Sequence, residues 1–291
     1  MYLRGLVRWF LLVTMLTGLL ALAACGDDDE GDGDASPTEA DGGGEVDVSG
    51  VPELEDGVLN IGSDIAYAPI EFFEEGTDNA VGLDVDLANA MGVKMGVEVE
   101  FNQVADFAGI VGDLTAGRYD IVMSAISITP EREAEIDFIP YFGPAGTAVL
   151  TPADNPFGIT TIEKACGRII GAQDGTIQVD QMTALNEGAC AANPIDIRTY
   201  PENPAVIADL ELGRLEAALA DDPVGAYAVE QSEADIALSV FGYEGAEYGI
   251  GVRKDSTELN EALTAAFAAI VEDGTYAEIL ADWGLEAYAL Q

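Results

Sequence analysis

The chain has 291 residues, with 54 Asp and Glu against 11 Lys and Arg, no histidine and a formal charge of −43 at pH 7. That length holds one large domain or two smaller ones, and 49% hydrophobic with 22% charged residues are globular values. Such acidity argues against nucleic acid or an anionic membrane surface as a partner. The lack of histidine removes Ser-His-Asp and Cys-His catalysis, most zinc sites and any imidazole base.

Residues 1–24 have the organisation of an export signal. Arg4 and Arg8 form a basic start, Trp9 to Leu22 is an apolar run, and Leu22-Ala23-Ala24 brings small residues up to Cys25. The pattern looks like a bacterial lipoprotein signal, in which Cys25 is lipidated and becomes the mature N-terminus on the outer face of the cell membrane. An uncleaved anchor is the other reading. Residues 25–52 are rich in Gly, Asp, Glu, Ser, Thr and Pro and read as an acidic flexible tether, too poor in apolar side chains to offset ordering entropy. The run Asp27-Asp28-Asp29-Glu30 lacks the spacing of a calcium loop, and no metal or cofactor is expected. Cys166 and Cys190 are an even pair outside the membrane and read as a disulfide. It closes a loop of 24 residues, worth about 3 kcal/mol by chain entropy.

From Leu59 the chain alternates strands and helices. Leu59 to Gly62 is a strand, and Pro69 then interrupts regular pairing. Leu83, Leu87, Met91 and Met95 share one helical face. Val97 to Phe101 alternates as a strand, Asp106 caps a helix through Leu114, and Ile121 to Met123 is a buried strand. The pattern restarts after 146–150, with strands at 168–172, 195–199, 216–219, 236–240 and 247–252. Helices are expected from about 177, over 204–212, beyond Pro223, over Thr257–Glu272 and over Tyr276–Trp283. Repeated β-α-β order implies two lobes, each a mainly parallel sheet flanked by helices, with ligands held beyond the carboxyl ends of the strands.

One stretch concentrates chemistry. After Ile121-Val122-Met123 come Ser124, Ala125, Ser127 and Thr129, then Pro130 and Arg132. In so acidic a chain, a guanidinium beyond a hydroxyl-lined strand end is a candidate receptor for a small carboxylate, matched in two-point contact. The competing reading is a surface arginine paired with Glu131, Glu133 or Glu135.

Gly82-Leu83-Asp84-Val85-Asp86-Leu87-Ala88 resembles a signature of the family 3 extracellular solute-binding proteins, polar amino-acid receptors of ABC importers. So do Tyr67-Ala68-Pro69, Ser127-Ile128-Thr129-Pro130-Glu131-Arg132, Gly175-Thr176, Gly213-Arg214-Leu215 before Asp221, and Asp273-Gly274-Thr275-Tyr276. The resemblance covers nearly all of 55–285. It implies an α/β two-lobed periplasmic-binding-protein fold of type II, a Venus flytrap with a two-strand hinge. Lobe 1 is 53–148 plus 244–291, and lobe 2 is 149–243. Arg132, with Ser124, the Ala125 region and Ser127, is expected to hold a ligand α-carboxylate, helped by Gly175 and Thr176 at a helix N-terminus. Asp221 is expected to pair with the α-ammonium, and Tyr67 and Phe107 to sandwich the side chain. Asp64 lies where relatives meet the tip of that side chain and would favour a basic or amide group. The implied partners are a small amino acid and the importer's permease, with membrane attachment through the lipid only and a monomeric state.

Two departures stand out. Ala125 replaces a hydroxyl of some relatives, and Ile70 stands where an aromatic is common, thinning one wall. Read without the resemblance, Tyr67 and Phe107 could be core aromatics, and Asp221 a helix cap before Pro223. The rival functions are a cyclohexadienyl or arogenate-type dehydratase on the same scaffold, with Glu71 the nearest spare acid, and a sensor acting through a separate partner. No catalytic residue is assigned.

Overall fold

The computed structural model of the protein describes residues 45–290. The signal segment, Cys25 and most of the expected tether lie outside the described residues. The end of that tether differs from expectation. Val46 N–H donates to the Lys94 carbonyl (2.9 Å), and Val46 and Val48 pack on the core beside buried Val51 and Leu54. These side chains supply the apolar surface that the Gly- and Asp-rich stretch before them lacks, so residues 45–52 belong to the folded body.

The first half builds one end of a large sheet. Strand β1 (Val58–Ser63) buries Leu59 and Ile61. A small antiparallel sheet follows, formed by β2 (Ala66–Tyr67), β3 (Glu71–Phe73) and β4 (Ala80–Val81). Helix α1 (Leu83–Met95) buries Leu83, Leu87, Met91 and Met95, four residues apart, and ends at the left-handed Gly96. After β5 (Glu98–Gln103), the Asp106 carboxylate accepts from Gly109 N–H (2.7 Å) and opens a short turn leading into α2 (Ile110–Thr115). Strand β6 (Ile121–Val122) precedes α3 (Pro130–Glu135), capped by Thr129 with proline in its first turn.

Strand β7 (Asp137–Pro152) crosses the molecule. Beyond it lie β8 (Ile169–Gln173), α4 (Ile177–Glu187), β9 (Asp196–Tyr200), α5 (Asn203–Glu211), β10 (Ala217–Asp221) and α6 (Asp222–Gln231). Strand β11 (Ile236–Val252) crosses back, and α7 (Thr257–Glu272) and α8 (Thr275–Asp282) close the fold. Buried Leu259, Ala262, Leu263, Ala266 and Ile270 give α7 its inward stripe.

The sheet order is β5-β1-β6-β11-β7-β10-β8-β9. Three parallel strands at each end flank the antiparallel pair β7 and β11. The expected lobe boundaries, 148/149 and 243/244, fall inside these two crossing strands. The ladder between them shifts register repeatedly between Leu238 and Gly249, where β-bulges absorb extra residues. Asp222, the first residue of α6, spans both crossings: Oδ2 accepts from Gly146 N–H (3.0 Å) and Oδ1 from Gly242 N–H (2.9 Å). At Gly146 a side chain would run into Gly242, 2.6 Å away, so the crossing requires glycine. In the second lobe Cys166 and Cys190 form the expected disulfide, with Cα atoms 5.1 Å apart.

Candidate functional site

The parallel strands of both lobes aim their carboxyl ends at one place. Asp64 follows β1, Ser124 and Ala125 follow β6, Gln173 ends β8, and Asp221 ends β10. Between them is a narrow cavity of about 10 Å³, lined also by Tyr67, Glu71, Phe107, Ser127, Arg132, Thr176, Ile177 and Gln178. This is where an open α/β sheet holds ligands.

Arg132 is placed by Thr129, whose side chain accepts from its backbone N–H (3.3 Å) and fixes the first turn of α3. Its guanidinium donates to the Ser127 carbonyl (2.8 Å) and, from the other lobe, the Gly175 carbonyl (2.9 Å). It lies 5.6 Å over the Phe107 ring. Among the described residues no carboxylate is within ion-pair distance, so the surface pairing with Glu131, Glu133 or Glu135 does not form. Burial pulls the guanidinium below its ordinary pKa, opposed by Asp180, Asp221 and Glu131.

Asp221 occupies the cap position of α6 but makes no capping bond. Its Oδ2 accepts from Tyr67 OH (3.1 Å) and Tyr248 OH (2.8 Å), and its Oδ1 from Gln178 Nε2 (2.7 Å). Burial raises its pKa to about 6 against these three donors. Tyr67 comes from the first lobe, so this contact bridges the lobes. Asp64 makes a second bridge: its two oxygens accept from the side-chain amides of Gln103 and Gln173. Burial raises the Asp64 pKa.

The hairpin of β2 and β3 sets Tyr67 directly opposite Glu71 and turns both toward the cavity. Ser124 Oγ donates to Glu71 Oε1 (2.7 Å) and accepts from Asp64 N–H (3.0 Å). Behind Glu71 lies fully buried Asp84, held by Tyr141 OH and Ala125 N–H. Burial raises both carboxyl groups, Asp84 to about 7 and Glu71 well above its usual range; the charge of Asp84 pushes Glu71 up further, whereas a hydrogen bond from Glu71 pulls Asp84 down.

All the expected lining residues meet here except Gly175, which reaches the site through its carbonyl to Arg132. Three details differ from the reading of the sequence. Ala125, at φ +47°, spends its N–H on Asp84 Oδ2 (3.1 Å). Thr176 Oγ1 turns back to the Gln173 carbonyl (2.7 Å), leaving the start of α4 to face the cavity through Ile177 and Gln178. Ile70 is fully buried in the core of the first lobe and thins no wall of the cavity. Gly175 is required: a side chain at its φ of +74° would strike Ala108, 2.5 Å away across the cleft.

The profile of the bacterial extracellular solute-binding proteins, family 3, matches residues 59–286. The chain belongs to this family. As a family 3 protein it is a binding receptor working outside the cytoplasmic membrane, and its relatives are binding proteins rather than enzymes. It is 33% identical over 242 residues to the arginine-binding protein ArgT of Corynebacterium glutamicum, covering 81% of this chain and 78% of that one. It is 28% identical over 225 residues to the lysine/arginine/ornithine-binding periplasmic protein of Escherichia coli, covering 75% and 84%. An ancestral arginine-binding protein bound to glutamine superposes with a TM-score of 0.73 at 32% identity, covering 79% of this chain and 99% of that one. Among the described residues no helix is long and apolar enough to cross a membrane.

The sequence left four cavity residues of this family 3 protein without a binding role: Glu71, Gln173, Ile177 and Gln178. Gln173 and Gln178 carry no motif, and their use depends on facing Asp64 and Asp221 in the folded chain. Glu71 was legible only as a spare acid. Its position opposite Tyr67 in a hairpin of very short strands was not.

Proposed function

We propose that this protein captures an amino acid with a basic side chain (arginine, lysine or ornithine) between its lobes and presents it to the permease of an ABC importer. The charge inventory of the cavity carries the reading. An α-amino acid brings one carboxylate and one ammonium, matched by Arg132 and Asp221 on opposite lobes. Asp64 and Glu71 then remain as acids with no basic residue of the lining to answer them. A cation at the end of the side chain supplies that charge, and a second carboxylate would be repelled. Tyr67 and Phe107 provide the apolar walls that exclude water and strengthen the polar contacts. The arginine and lysine named for the relatives agree with this class.

Calorimetric titration of the purified protein with arginine, lysine, ornithine, glutamine and glutamate tests it. The basic amino acids should bind most tightly and glutamate not measurably. Failure of all three basic ligands to bind better than millimolar removes the reading. Asp64→Asn should weaken arginine about 10- to 100-fold, the scale of a buried charge-assisted hydrogen bond, with glutamine changed by about threefold or less. Equal weakening of both would take Asp64 out of ligand selection.

We further propose attachment to the membrane through lipid on Cys25, on the strength of the Leu22-Ala23-Ala24-Cys25 sequence. Cys25→Ser should move the protein from the membrane fraction to the soluble fraction. Membrane association that survives this change argues instead for an uncleaved apolar anchor.

A further inference from the structure

Two fully buried carboxylates meet at the floor of the cavity, and their hydrogen bonds do not close. Asp84 is well supplied: Tyr141 OH reaches Oδ1 (2.7 Å) and Oδ2 (2.9 Å), and Ala125 N–H reaches Oδ2 (3.1 Å). Glu71 Oε1 accepts from Ser124, but Oε2 is buried with no partner among the described residues. A buried oxygen without a donor is destabilising, and two like charges in such surroundings do not both ionise.

The other groups facing the pair make matters worse. Asp64 beyond β1 and Asp221 at the end of β10 are acidic, and Tyr67, Tyr141 and Tyr248 are neutral phenols held neutral by burial and nearby carboxylates. Asp86, on the same turn of α1, turns outward to Trp283 Nε1 (2.8 Å). Arg132, the basic residue of the lining, gives its hydrogen bonds to two carbonyls. A proton on Glu71, donated toward Asp84, resolves both the charge and the orphaned oxygen.

We propose that Glu71 and Asp84 share one proton at the cavity floor, and that a cationic side chain entering the cavity expels it. Capture of a basic amino acid then releases a proton to the solvent. The exchange balances: one carboxylic acid, one carboxylate and a cation become two carboxylates, the same cation and a free proton. This deepens the basic-ligand reading and rests on it. A neutral ligand leaves the proton in place, so the pair distinguishes cation from amide by what each does to its charge.

The test is calorimetric binding of arginine and of citrulline, its neutral isostere, near pH 7 in phosphate and in Tris, buffers that differ widely in ionisation enthalpy. Asp221 meets the α-ammonium of either ligand, so its contribution cancels in the comparison. Arginine should release about one proton more than citrulline, and its affinity should fall about tenfold per pH unit on acidification, the slope of a full proton exchange. Tight arginine binding with no extra proton overturns the proposal while sparing the basic-ligand reading. Absence of binding by any basic amino acid overturns both. Glu71→Gln, if folded by circular dichroism, should bind arginine without the extra proton. If it is not folded, the wild-type comparison decides alone.

Discussion

Arg132→Ala should weaken amino-acid binding by at least about 1000-fold while moving the melting temperature of the ligand-free protein by only a few degrees. The binding loss follows from the role proposed for the guanidinium. A forked contact to a carboxylate in a water-excluding cavity is worth about 4 kcal/mol, and losing it strands the ligand's charge. The stability effect is small because the guanidinium makes two hydrogen bonds to carbonyls and no ion pair among the described residues. Their loss costs about 1 to 2 kcal/mol, or several degrees at most for a chain of this size. Arg132→Lys should fall between, keeping the charge but not the fork. Retained affinity with a large drop in melting temperature would mean that Arg132 braces the lobes and binds nothing.

The ligand-free protein should be more stable at about pH 5 than at pH 7.5, against the usual trend. Asp221 has a folded pKa of about 6 and Asp84 of about 7, both above the unfolded value of 3.8, and Glu71 is raised as well. Across the window from roughly 4 to 7 the folded state therefore binds more protons than the unfolded chain, so stability falls as pH rises. For Asp221 the fall is on the order of 3 kcal/mol. Groups of opposite sign act lower: Asp273, held down to about 2 by Lys94, gives up its contribution only as pH drops below 3.8. Thermal melts from pH 4 to 8 in constant salt measure this directly. A maximum near neutrality would show that the buried carboxyl groups are ordinary. Asp221→Asn should flatten the slope.

Much of the fold was legible because its long elements repeat a clear period. The span Thr257–Glu272 expected for α7 is the span observed, and the face of α1 follows from Leu83, Leu87, Met91 and Met95. The sheet of β2, β3 and β4 was not readable, since strands of two or three residues are too short to show alternation. Strand β11 read as two strands, 236–240 and 247–252, with Gly242 and Gly245 between them. In the structure they lie in a bulged crossing that stays paired with β7. In the site, Arg132, Asp221 and Tyr67 sat in motifs, whereas the use of Gln173, Gln178 and Glu71 depended on which chain segments meet across the cleft. Ile70 misled because its neighbour Tyr67 faces the cavity while Ile70 itself turns into the core.

Asp221 and Asp222 are consecutive, yet they serve different masters. The first stands among the groups that would grip a ligand's ammonium; the second clasps both strands on which the two halves of the molecule are strung. A rotation of one lobe against the other about these two strands would turn beside Asp221, the cavity residue next in the chain to Asp222. A receptor built this way has almost no lever arm between sensing and movement. In such a rotation a displacement of the Asp221 carboxylate would fall next to the residue that ties both strands, with no relay of side chains between them.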